Sequence, residues 1–284
     1  CFEEGETNRS KQEEIYPGGK GFNVSTILSR LNLETTALGF VAGFTGEEIV
    51  KELKERGFTC DLCQLENGLS RINVKMKGAK ETEINGSGPD IPQEKLDELF
   101  DKLNQLQEND ILVLAGSIPS SLPNDIYEQI MKKLDQQGIK IIVDATNEKV
   151  LPYHPFLIKP NHRELEELFN VKIENKEDLI HYARKLQEQG AINVLVSLGK
   201  DGAILVSEDG HVYYCAGAKG KLLNSVGSGD SMVAGFIAGY LKDKKYDEAL
   251  KLGSACGGAT AFSEDLAEAS MIQEVYKQLQ VEEL

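Results

Sequence analysis

From residue 88 onward the sequence alternates short apolar runs with longer amphipathic stretches, and this alternation restricts the possible folds strongly. Such short runs of Ile, Leu and Val are typical of strands buried on both faces of a parallel sheet. The amphipathic stretch 123–137 begins with proline and ends before Gly138, which predicts a helix, and another helix is predicted from about Asn161. We therefore predict an α/β fold in which helices cover both faces of a parallel sheet. The predicted strands of this region span 110–115, 140–144, 156–159 and 191–197.

Residues 58–87 follow a different pattern, in which apolar and polar residues alternate over 58–65, 70–77 and 81–85. This alternation predicts antiparallel strands with one apolar face, and residues 8–16 are predicted to add a strand. A sheet this small needs a partner for its apolar face. We predict a β lid over a cleft, a contact with a second subunit, or both. The predicted division is a core of 17–57 and 88–284 and a lid of 6–16 and 58–87.

The charge balance excludes some partners. The chain has 31 Lys and Arg against 46 Asp and Glu, a net charge of −15. An acidic surface repels nucleic acid and anionic membranes, so neither is an expected partner. No apolar run reaches the ~18 residues that a membrane span needs. The five cysteines form no disulfide framework, which predicts reduced thiols in the cytoplasm, and Cys60 and Cys63 are interpreted as structural.

Two glycine clusters are candidate ligand sites, and the first spans residues 16–25. Gly18 and Gly19 leave room for a close approach to the backbone at the start of a predicted helix. Lys20 adds a positive charge, and Asn23 can hydrogen-bond a hydroxyl group. A plain glycine-rich turn is the alternative. The cluster matches neither the dinucleotide fingerprint nor the Walker loop.

The second cluster spans residues 224–235 and also opens a predicted helix. The amides of Gly227, Ser228 and Gly229 would point out of the helix N-terminus and surround a transferring phosphoryl group. Asp230 lies in the first turn, where a carboxylate can take a proton from an attacking hydroxyl group. The alternative is an aspartate that only caps the helix.

At these residues the sequence resembles the ribokinase-like sugar kinases of the PfkB family. The first cluster is similar to the family's N-terminal motif, and Gly227-Ser-Gly-Asp230 is similar to its C-terminal signature. Three further elements occur between them in the family's order: Gly116-Ser-Ile-Pro119, Lys159-Pro-Asn-His-Arg-Glu164 and Ser197-Leu-Gly-Lys-Asp-Gly202. The resemblance implies a three-layer α/β/α Rossmann-like core with a small β lid.

The resemblance also implies the roles of individual residues. Asp230 would be the catalytic base, and Gly227, Ser228 and Gly229 would form the anion hole. Asn161 and Glu164 would hold Mg²⁺ through water, although the same pair also fits a helix capping box. The small-residue segment 252–260 would pack near the nucleotide, and Lys221 would flank the adenine beside Lys219. The residues implied to bind ATP are Lys159, Asn161, Glu164, Ser197, Gly199, Gly202, Lys219 and Gly229.

The implied acceptor is a phosphorylated ketohexose. Arg71 and Asn85 lie on predicted lid strands, and with Lys20, Gly18, Gly19 and Asn23 they would bind the sugar phosphate. The runs around Arg71 and Asn85 resemble the branch that phosphorylates fructose 1-phosphate, with tagatose-6-phosphate kinases as the close alternative. A non-catalytic binding protein of the same fold is a second hypothesis, and a dinucleotide oxidoreductase is a third that lacks its fingerprint.

One departure from the family concerns the start of the sequence. Family members begin with a strand and an N-P-x-x-D-like segment whose aspartate contacts sugar hydroxyls, and residues 1–15 contain no match. We therefore expect that this sequence is truncated or a fragment.

Overall fold

The computed structural model describes residues 5–77, 81–144 and 148–284 of the 284-residue chain. Within them, most strands are short and lie in one large sheet or in three pairs. The strands are β1 Thr36–Ala37, β2 Phe40–Ala42, β3 Thr59–Cys60, β4 Cys63–Leu65, β5 Asn73–Lys77, β6 Glu81–Asn85, β7 Ile111–Ala115, β8 Lys140–Asp144, β9 Leu157–Ile158, β10 Asn193–Ser197, β11 Ala203–Val206, β12 Val212–Cys215 and β13 Val281–Glu283.

The helices alternate with these strands through most of the described chain. They are α1 Lys20–Arg30, α2 Gly43–Glu55, α3 Gln93–Leu103, α4 Ile126–Leu134, α5 His162–Phe169, α6 Lys176–Glu188, α7 Ser228–Asp243, α8 Tyr246–Ala261 and α9 Ala269–Gln278. Short 3₁₀ turns lie at Glu148–Tyr153 and Gly199–Asp201. No helix of the described residues is both long and apolar enough to cross a membrane.

The large sheet separates two layers of helices, as the sequence predicts. Its strand order is β13-β12-β11-β10-β9-β8-β7. Side chains alternate between the two faces of a strand. In β8, Ile142 therefore packs with α1, α7, α8 and α9, whereas its neighbours Ile141 and Val143 pack with α3, α4, α5 and α6. The predicted three-layer α/β/α core is confirmed.

The sheet is mixed, which corrects the expectation of a parallel sheet. Strands β7 to β10 pair in parallel, but β11, β12 and β13 are antiparallel to their neighbours. The reason lies in the connection between β10 and β11, which is only the turn Leu198–Gly202. A turn of this length reverses the chain, whereas a parallel neighbour requires a crossover of a dozen residues or more.

The run 58–65 also differs from the expectation, because it does not pair with the lid. Strand β3 pairs in parallel with β1, and β4 pairs in parallel with β2. In the sequence, helix α2 follows β1 and β2 and precedes β3 and β4. It therefore provides the crossover connection that each parallel pair requires. Cys63 is buried there, and burial raises the pKa of its thiol to about 11, so the thiol stays protonated near neutral pH.

The lid hairpin is formed by β5 and β6, which are antiparallel as predicted. The strand expected between Asn8 and Tyr16 is absent. That segment is exposed and makes local contacts instead, such as the bond from the Ser10 hydroxyl to the Gln12 carbonyl. The expected division into core and lid therefore remains a prediction, with β5 and β6 as its observed lid strands.

Candidate functional site

Charged residues meet at the carboxyl edge of the parallel strands. Asp144 ends β8, and Lys159 directly follows β9, so both lie at the edge where ligands of α/β sheets bind. The Lys159 Nζ atom lies 2.9 Å from Asp144 Oδ1. The Lys20 Nζ atom, at the start of α1, lies 3.3 Å from Asp144 Oδ2. Asp144 and Lys159 are both buried, whereas the Lys20 side chain is 46% exposed, so the desolvated part of this group is the Asp144–Lys159 ion pair.

Asp144 is ionised despite its burial. Desolvation acts to raise its pKa, but the charges of Lys159 and then Lys20 outweigh it and lower the pKa below its usual value. Sequence reasoning did not select Asp144 as a site residue. Its position as the last residue of the predicted strand 140–144 was the available signal.

Asp230 has a different environment from Asp144. It is 5% exposed, and its Oδ2 accepts a hydrogen bond of 2.7 Å from Asn23 Nδ2. Burial and, to a smaller extent, the charge of Asp144 raise the pKa of Asp230, which lies at about 6. The Asn23 hydrogen bond and the charges of Lys20 and Lys159 oppose this increase. Two neighbouring carboxyl groups are thus pushed to opposite sides of their usual pKa, an arrangement typical of acid–base sites.

Glycines lie on both sides of Ser228 at the start of α7, each close to another part of the chain. Gly227 has φ 78°, and a Cβ atom there would lie 2.6 Å from Leu266 Cδ2. A Cβ atom on Gly229 would lie 3.2 Å from Lys159 Nζ. The glycines therefore let the turn approach both the lysine and Leu266. The Ser228 amide donates to the Ser225 carbonyl at 3.3 Å, whereas the next two amides of α7 have no carbonyl partner within the helix. A helix N-terminus of this kind can bind an anion, and Lys159 lies beside it.

Ser228 adds a polar atom to this turn. Its Oγ atom is buried and has no hydrogen-bond partner among the residues that the structure describes. A buried hydroxyl group normally has a partner, so an unpaired one beside free amides fits a site that binds a polar ligand.

The first glycine cluster lies next to the same carboxylates. Gly19 precedes α1 with φ 133°, and Gly18 is exposed with open space around its Cβ direction. Lys20 and Asn23 lie on the first turn of α1 and reach Asp144 and Asp230 respectively. The structure thus brings the two predicted glycine clusters together across more than 200 residues of sequence.

Asn161 and Glu164 form a capping box at the start of α5. The Glu164 amide donates to Asn161 Oδ1 at 3.0 Å, and the Asn161 amide donates to Glu164 Oε2 at 2.7 Å. Asn161 also lies beside Ser197, whose amide donates to the Pro160 carbonyl at 3.1 Å. The capping interpretation is therefore correct. It leaves the second carboxylate oxygen of Glu164 outside the box.

The glycines at 199 and 202 have different surroundings. A Cβ atom on Gly202 would lie 2.0 Å from the Cys215 carbonyl oxygen, so this glycine is required by chain packing. Gly199 has φ 60° and open space around it, which leaves its backbone accessible to a ligand. Lys219 is exposed on the connection between β12 and α7.

The small residues of 252–260 have a packing role in the structure. They lie on α8, which crosses α7 so closely that a Cβ atom on Gly235 would lie 2.5 Å from the Leu252 carbonyl oxygen. A Cβ atom on Gly257 would lie 3.0 Å from the Ser228 carbonyl oxygen. The segment therefore packs against the first turn of α7.

The lid contacts the core through Arg71. Its Nη1 atom donates to Ser117 Oγ at 3.1 Å. The neighbouring Gly116 carbonyl accepts a hydrogen bond of 3.1 Å from the Tyr127 hydroxyl. Burial and the charge of Asp144 raise the pKa of Tyr127 to about 12. Sequence reasoning missed Tyr127, because nothing in the sequence pairs a residue of α4 with this turn.

Asn85 is also on the lid and ends β6 opposite Asn73. Its side chain is exposed and forms a hydrogen bond with Glu83 on the same strand. The structure therefore brings together Lys20, Asn23, Lys159 and Asp230 with the turn 227–229, while Asn85 and Lys219 lie on exposed segments around them.

Comparisons with known proteins agree with this geometry. The profile described as pfkB family carbohydrate kinase matches residues 1–272. The chain is 46% identical to a 1-phosphofructokinase of Bacillus subtilis over 286 aligned residues, which cover 100% of this chain and 94% of the relative. It is 37% identical to a D-tagatose-1-phosphate kinase of Bacillus licheniformis, over 98% of this chain and 92% of that protein.

Solved structures show the same architecture. A candidate phosphofructokinase from Staphylococcus aureus matches with a TM-score of 0.88 and 41% identity, over 100% of this chain and 93% of that one. Phosphofructokinase-2 from Escherichia coli, solved with substrates and products, matches with a TM-score of 0.85 and 25% identity, over 92% of this chain and 87% of that one.

Proposed function

Because the chain belongs to the pfkB family of carbohydrate kinases, we propose that it transfers the γ-phosphoryl group of ATP to the C6 hydroxyl of fructose 1-phosphate. The products are fructose 1,6-bisphosphate and ADP. The observation that carries the proposal is the buried Asp230, with a pKa of about 6, at the N-terminus of α7 and beside Lys159.

Asp230 acts as the general base. Near neutral pH it is mostly ionised, yet its raised pKa makes it a better proton acceptor than an ordinary aspartate. It takes the C6 hydroxyl proton as the oxygen attacks phosphorus, the bond to the β–γ bridging oxygen breaks, and ADP leaves. The hydrogen bond from Asn23 orients the carboxylate for this step.

The turn 227–229 and Lys159 stabilise the charge of the transferring phosphoryl group. The amides at the start of α7 point out of the helix, and their fixed dipoles have a large effect once lid closure excludes water. The buried Ser228 hydroxyl adds a donor. Most of the catalysis would therefore come from positioning and electrostatics, as is typical of phosphoryl transfer.

Asn161 and Glu164 fit a magnesium ion only through water. The described residues contain no group of three or more His, Cys, Asp or Glu side chains that could hold a metal ion directly. Mg²⁺ usually keeps several waters and binds one or two carboxylates together with the substrate phosphates, which suits the second Glu164 oxygen. When bound, the ion neutralises phosphate charge. On the ATP side, Ser197, the open backbone of Gly199, the turn at Gly202 and the exposed Lys219 complete the proposed nucleotide site.

The sugar phosphate binds between α1 and the lid in this proposal. Lys20 and Asn23 face the acceptor, and the backbone at Gly18 and Gly19 leaves space for it. Arg71, already directed to Ser117, supplies a guanidinium for the 1-phosphate, and Asn85 closes the site from the lid. Lid closure would exclude water and limit hydrolysis of ATP.

Tagatose phosphates are the second candidate acceptors, because one relative is named a D-tagatose-1-phosphate kinase. Fructose 1-phosphate and tagatose 1-phosphate share the 1-phosphate and the free C6 hydroxyl and differ only in configuration at C4. The same residues can therefore serve both sugars, and the contact with the C4 hydroxyl decides between them.

A substrate panel tests the proposal. Release of ADP is measured with ATP, Mg²⁺ and each of fructose 1-phosphate, tagatose 1-phosphate, tagatose 6-phosphate, fructose 6-phosphate and adenosine. We expect the highest kcat/KM with fructose 1-phosphate, and a kcat about 10²–10⁴-fold below wild type in Asp230→Asn. Preference for a tagatose phosphate would replace the acceptor and keep the reaction. Binding of sugar phosphate without any ADP release would instead support the non-catalytic alternative.

The homodimer through the lid is also part of the proposal. Ile72, Val74 and Ile84 are 60%, 46% and 56% exposed, and Val74 pairs with Ile84 across the hairpin, so the three form an apolar stripe. A second copy of the same stripe would cover it. Sedimentation should show a dimer, and Val74→Asp should shift it to monomer. A wild-type monomer at assay concentration would exclude this part. We further propose a cytoplasmic location, where ATP and sugar phosphates are available.

A further inference from the structure

Arg30 lies far from the reacting groups but is linked to them on two sides. It ends α1, the helix that carries Lys20 and Asn23 at its other end. Its Nη1 atom donates to the carbonyl oxygens of Leu266 at 2.6 Å and Ala267 at 3.1 Å. Its Nη2 atom forms an ion pair with Glu268 at 2.8 Å. One guanidinium therefore holds the connection between α8 and α9, which we name the 264–268 loop.

The 264–268 loop in turn contacts the turn before α7. The Leu266 side chain is buried and packs so close to Gly227 that an added Cβ atom would lie 2.6 Å away. The Glu264 carbonyl accepts a bond of 2.9 Å from Asn224 Nδ2. The loop thus supports the anion-binding turn on its N-terminal side.

A second link reaches the other side of that turn. The Ala267 amide donates to Thr260 Oγ1 at 3.2 Å, and Thr260 Oγ1 lies 2.8 Å from Ser231 Oγ. Residues 227 and 231 flank the segment 228–230, so the loop contacts α7 on both sides of the base. Arg56 reinforces the loop through an ion pair of 3.1 Å with Asp265.

We infer that Arg30 is a positioning residue that sets the distance between α1, which holds the sugar, and the α7 turn, which holds the phosphoryl group. This inference rests on the proposed function. Phosphoryl transfer depends on the alignment of the hydroxyl oxygen with phosphorus, and a displacement of about 1 Å can cost up to about a hundredfold in rate. Losing the two carbonyl bonds would let the loop, and with it the turn, move relative to α1.

Arg30→Met tests the inference, because it keeps an apolar stem and removes the donors. We expect kcat to fall about tenfold, while KM for ATP and for the sugar phosphate each change less than about threefold. Arg30→Lys should recover part of the loss, because an ammonium keeps the charge and can donate to the carbonyls but lacks the planar fork that also reaches Glu268 through a second nitrogen. Glu268→Gln, at an exposed carboxylate, should stay within about twofold of wild type, because the carbonyl bonds remain.

Arg184→Gln is the matched control. Arg184 also donates to a loop carbonyl, that of Gly210, at the hairpin between β11 and β12. We expect this variant to have wild-type kcat. An equal loss of kcat in Arg184→Gln would show that the effect is general destabilisation and would overturn the assignment. So would a kcat of Arg30→Met within about twofold of wild type.

Hydrogen exchange provides a readout that needs no substrate. In Arg30→Met, or in Arg30→Lys if the first variant does not fold, the amides of 223–231 should exchange faster at an unchanged melting temperature, and those of β8 should not. Wild-type exchange rates at 223–231 would overturn the inference. If the wild-type chain shows no turnover with any acceptor, the proposed function fails, while the exchange result still decides whether Arg30 holds the turn.

Discussion

Polar side chains cluster at both ends of the parallel strands, as charged groups at the carboxyl end and as a neutral, hydrogen-bonded amide at the amino end. At the carboxyl end, Asp144, Lys159, Lys20, Asn23 and Asp230 form the charged site. At the amino end, the buried Asn193 donates to the Phe156 carbonyl at 2.8 Å and to the Tyr246 hydroxyl at 3.4 Å, and accepts from the Glu208 amide at 2.9 Å. The Tyr246 hydroxyl donates to Glu208.

The difference shows which polar group stabilises the fold and which serves chemistry. The Asn193 amide group uses both its nitrogen as a donor and its oxygen as an acceptor. The amino-end network therefore joins β10, α8 and the β11–β12 hairpin without leaving the polar atoms of Asn193 unpaired. At the carboxyl end, Asp230 is buried with one amide donor and a raised pKa, and the Ser228 hydroxyl is unpaired. Ionised Asp230 therefore costs stability in the free protein, which is typical of a functional site.

Asp230→Asn should give the largest effect on activity. Removing the base should lower kcat by about 10²–10⁴-fold. The same change should not lower stability. The raised pKa means that the protonated carboxyl group is favoured in the folded state, and this contribution is lost as the pH rises through about 6. At pH 8 the variant should therefore be as stable as wild type or more stable, by about 1–3 kcal/mol.

Steady-state kinetics and thermal unfolding at pH 8 check this prediction, with exposed Asp101→Asn on α3 as the control. Turnover near the wild-type rate would remove Asp230 from the mechanism. A strongly lowered melting temperature would mean that the carboxyl end also stabilises the fold, and the contrast between the two ends would fail.

Asn193→Ala should have the opposite profile. It leaves the Glu208 amide without its acceptor, removes one of the two partners of the Tyr246 hydroxyl and empties a buried position, which should lower the free energy of unfolding by about 2–4 kcal/mol. The kcat of the folded protein should remain within about twofold of wild type. Urea unfolding measures the loss, and exposed Asn104→Ala should change stability by less than about 0.5 kcal/mol. A large drop in kcat at full folding would connect this network to catalysis.

The pH dependence of kcat/KM should follow Asp230 in the free protein. Because the base must be ionised, kcat/KM should rise about tenfold per pH unit below pH 6 and reach a plateau above it. Rates from pH 5 to 8.5, with the coupling enzymes in excess, measure this limb. Asn23→Ala removes a hydrogen bond that lowers the pKa of Asp230, so the limb should move to higher pH. An unmoved limb in that variant would assign the titration to another group.

Tyr127→Phe should give the smallest effect. It removes one hydrogen bond to the Gly116 carbonyl, of about 1 kcal/mol, and should loosen the turn that carries Ser117 beneath Arg71. We expect about a fivefold rise in KM for the sugar phosphate, with kcat and KM for ATP unchanged. Tyr153→Phe, at a half-buried tyrosine away from the site, is the control. A change in kcat instead of KM would place Tyr127 with the reacting groups.

Sequence reasoning reached much of the fold because the determining patterns are local. The apolar runs at 110–115 and 140–144 became β7 and β8, and Asn161 with Glu164 formed the predicted capping box. It was wrong where pairing depends on distant partners. The alternation of 58–65 is equally compatible with a lid strand, and only the crossover through α2 places it beside β1 and β2. Residues 8–16 form no strand and instead lie exposed at the surface.

The sequence alone selected the candidate reacting groups: a glycine turn opening a helix, an aspartate in its first turn, and a lysine at a strand end. These follow from residue type and short spacing, because capping, turn geometry and strand periodicity act over a few residues. Only the tertiary structure decided how each group behaves. Lys159 and Lys20 lower the pKa of Asp144, whereas burial raises the pKa of Asp230 to about 6. Arg30 donates to the carbonyl of Leu266, which lies 236 residues later in the sequence. Burial and charge are set by everything that packs around a side chain, and most of that arrives from elsewhere in the chain.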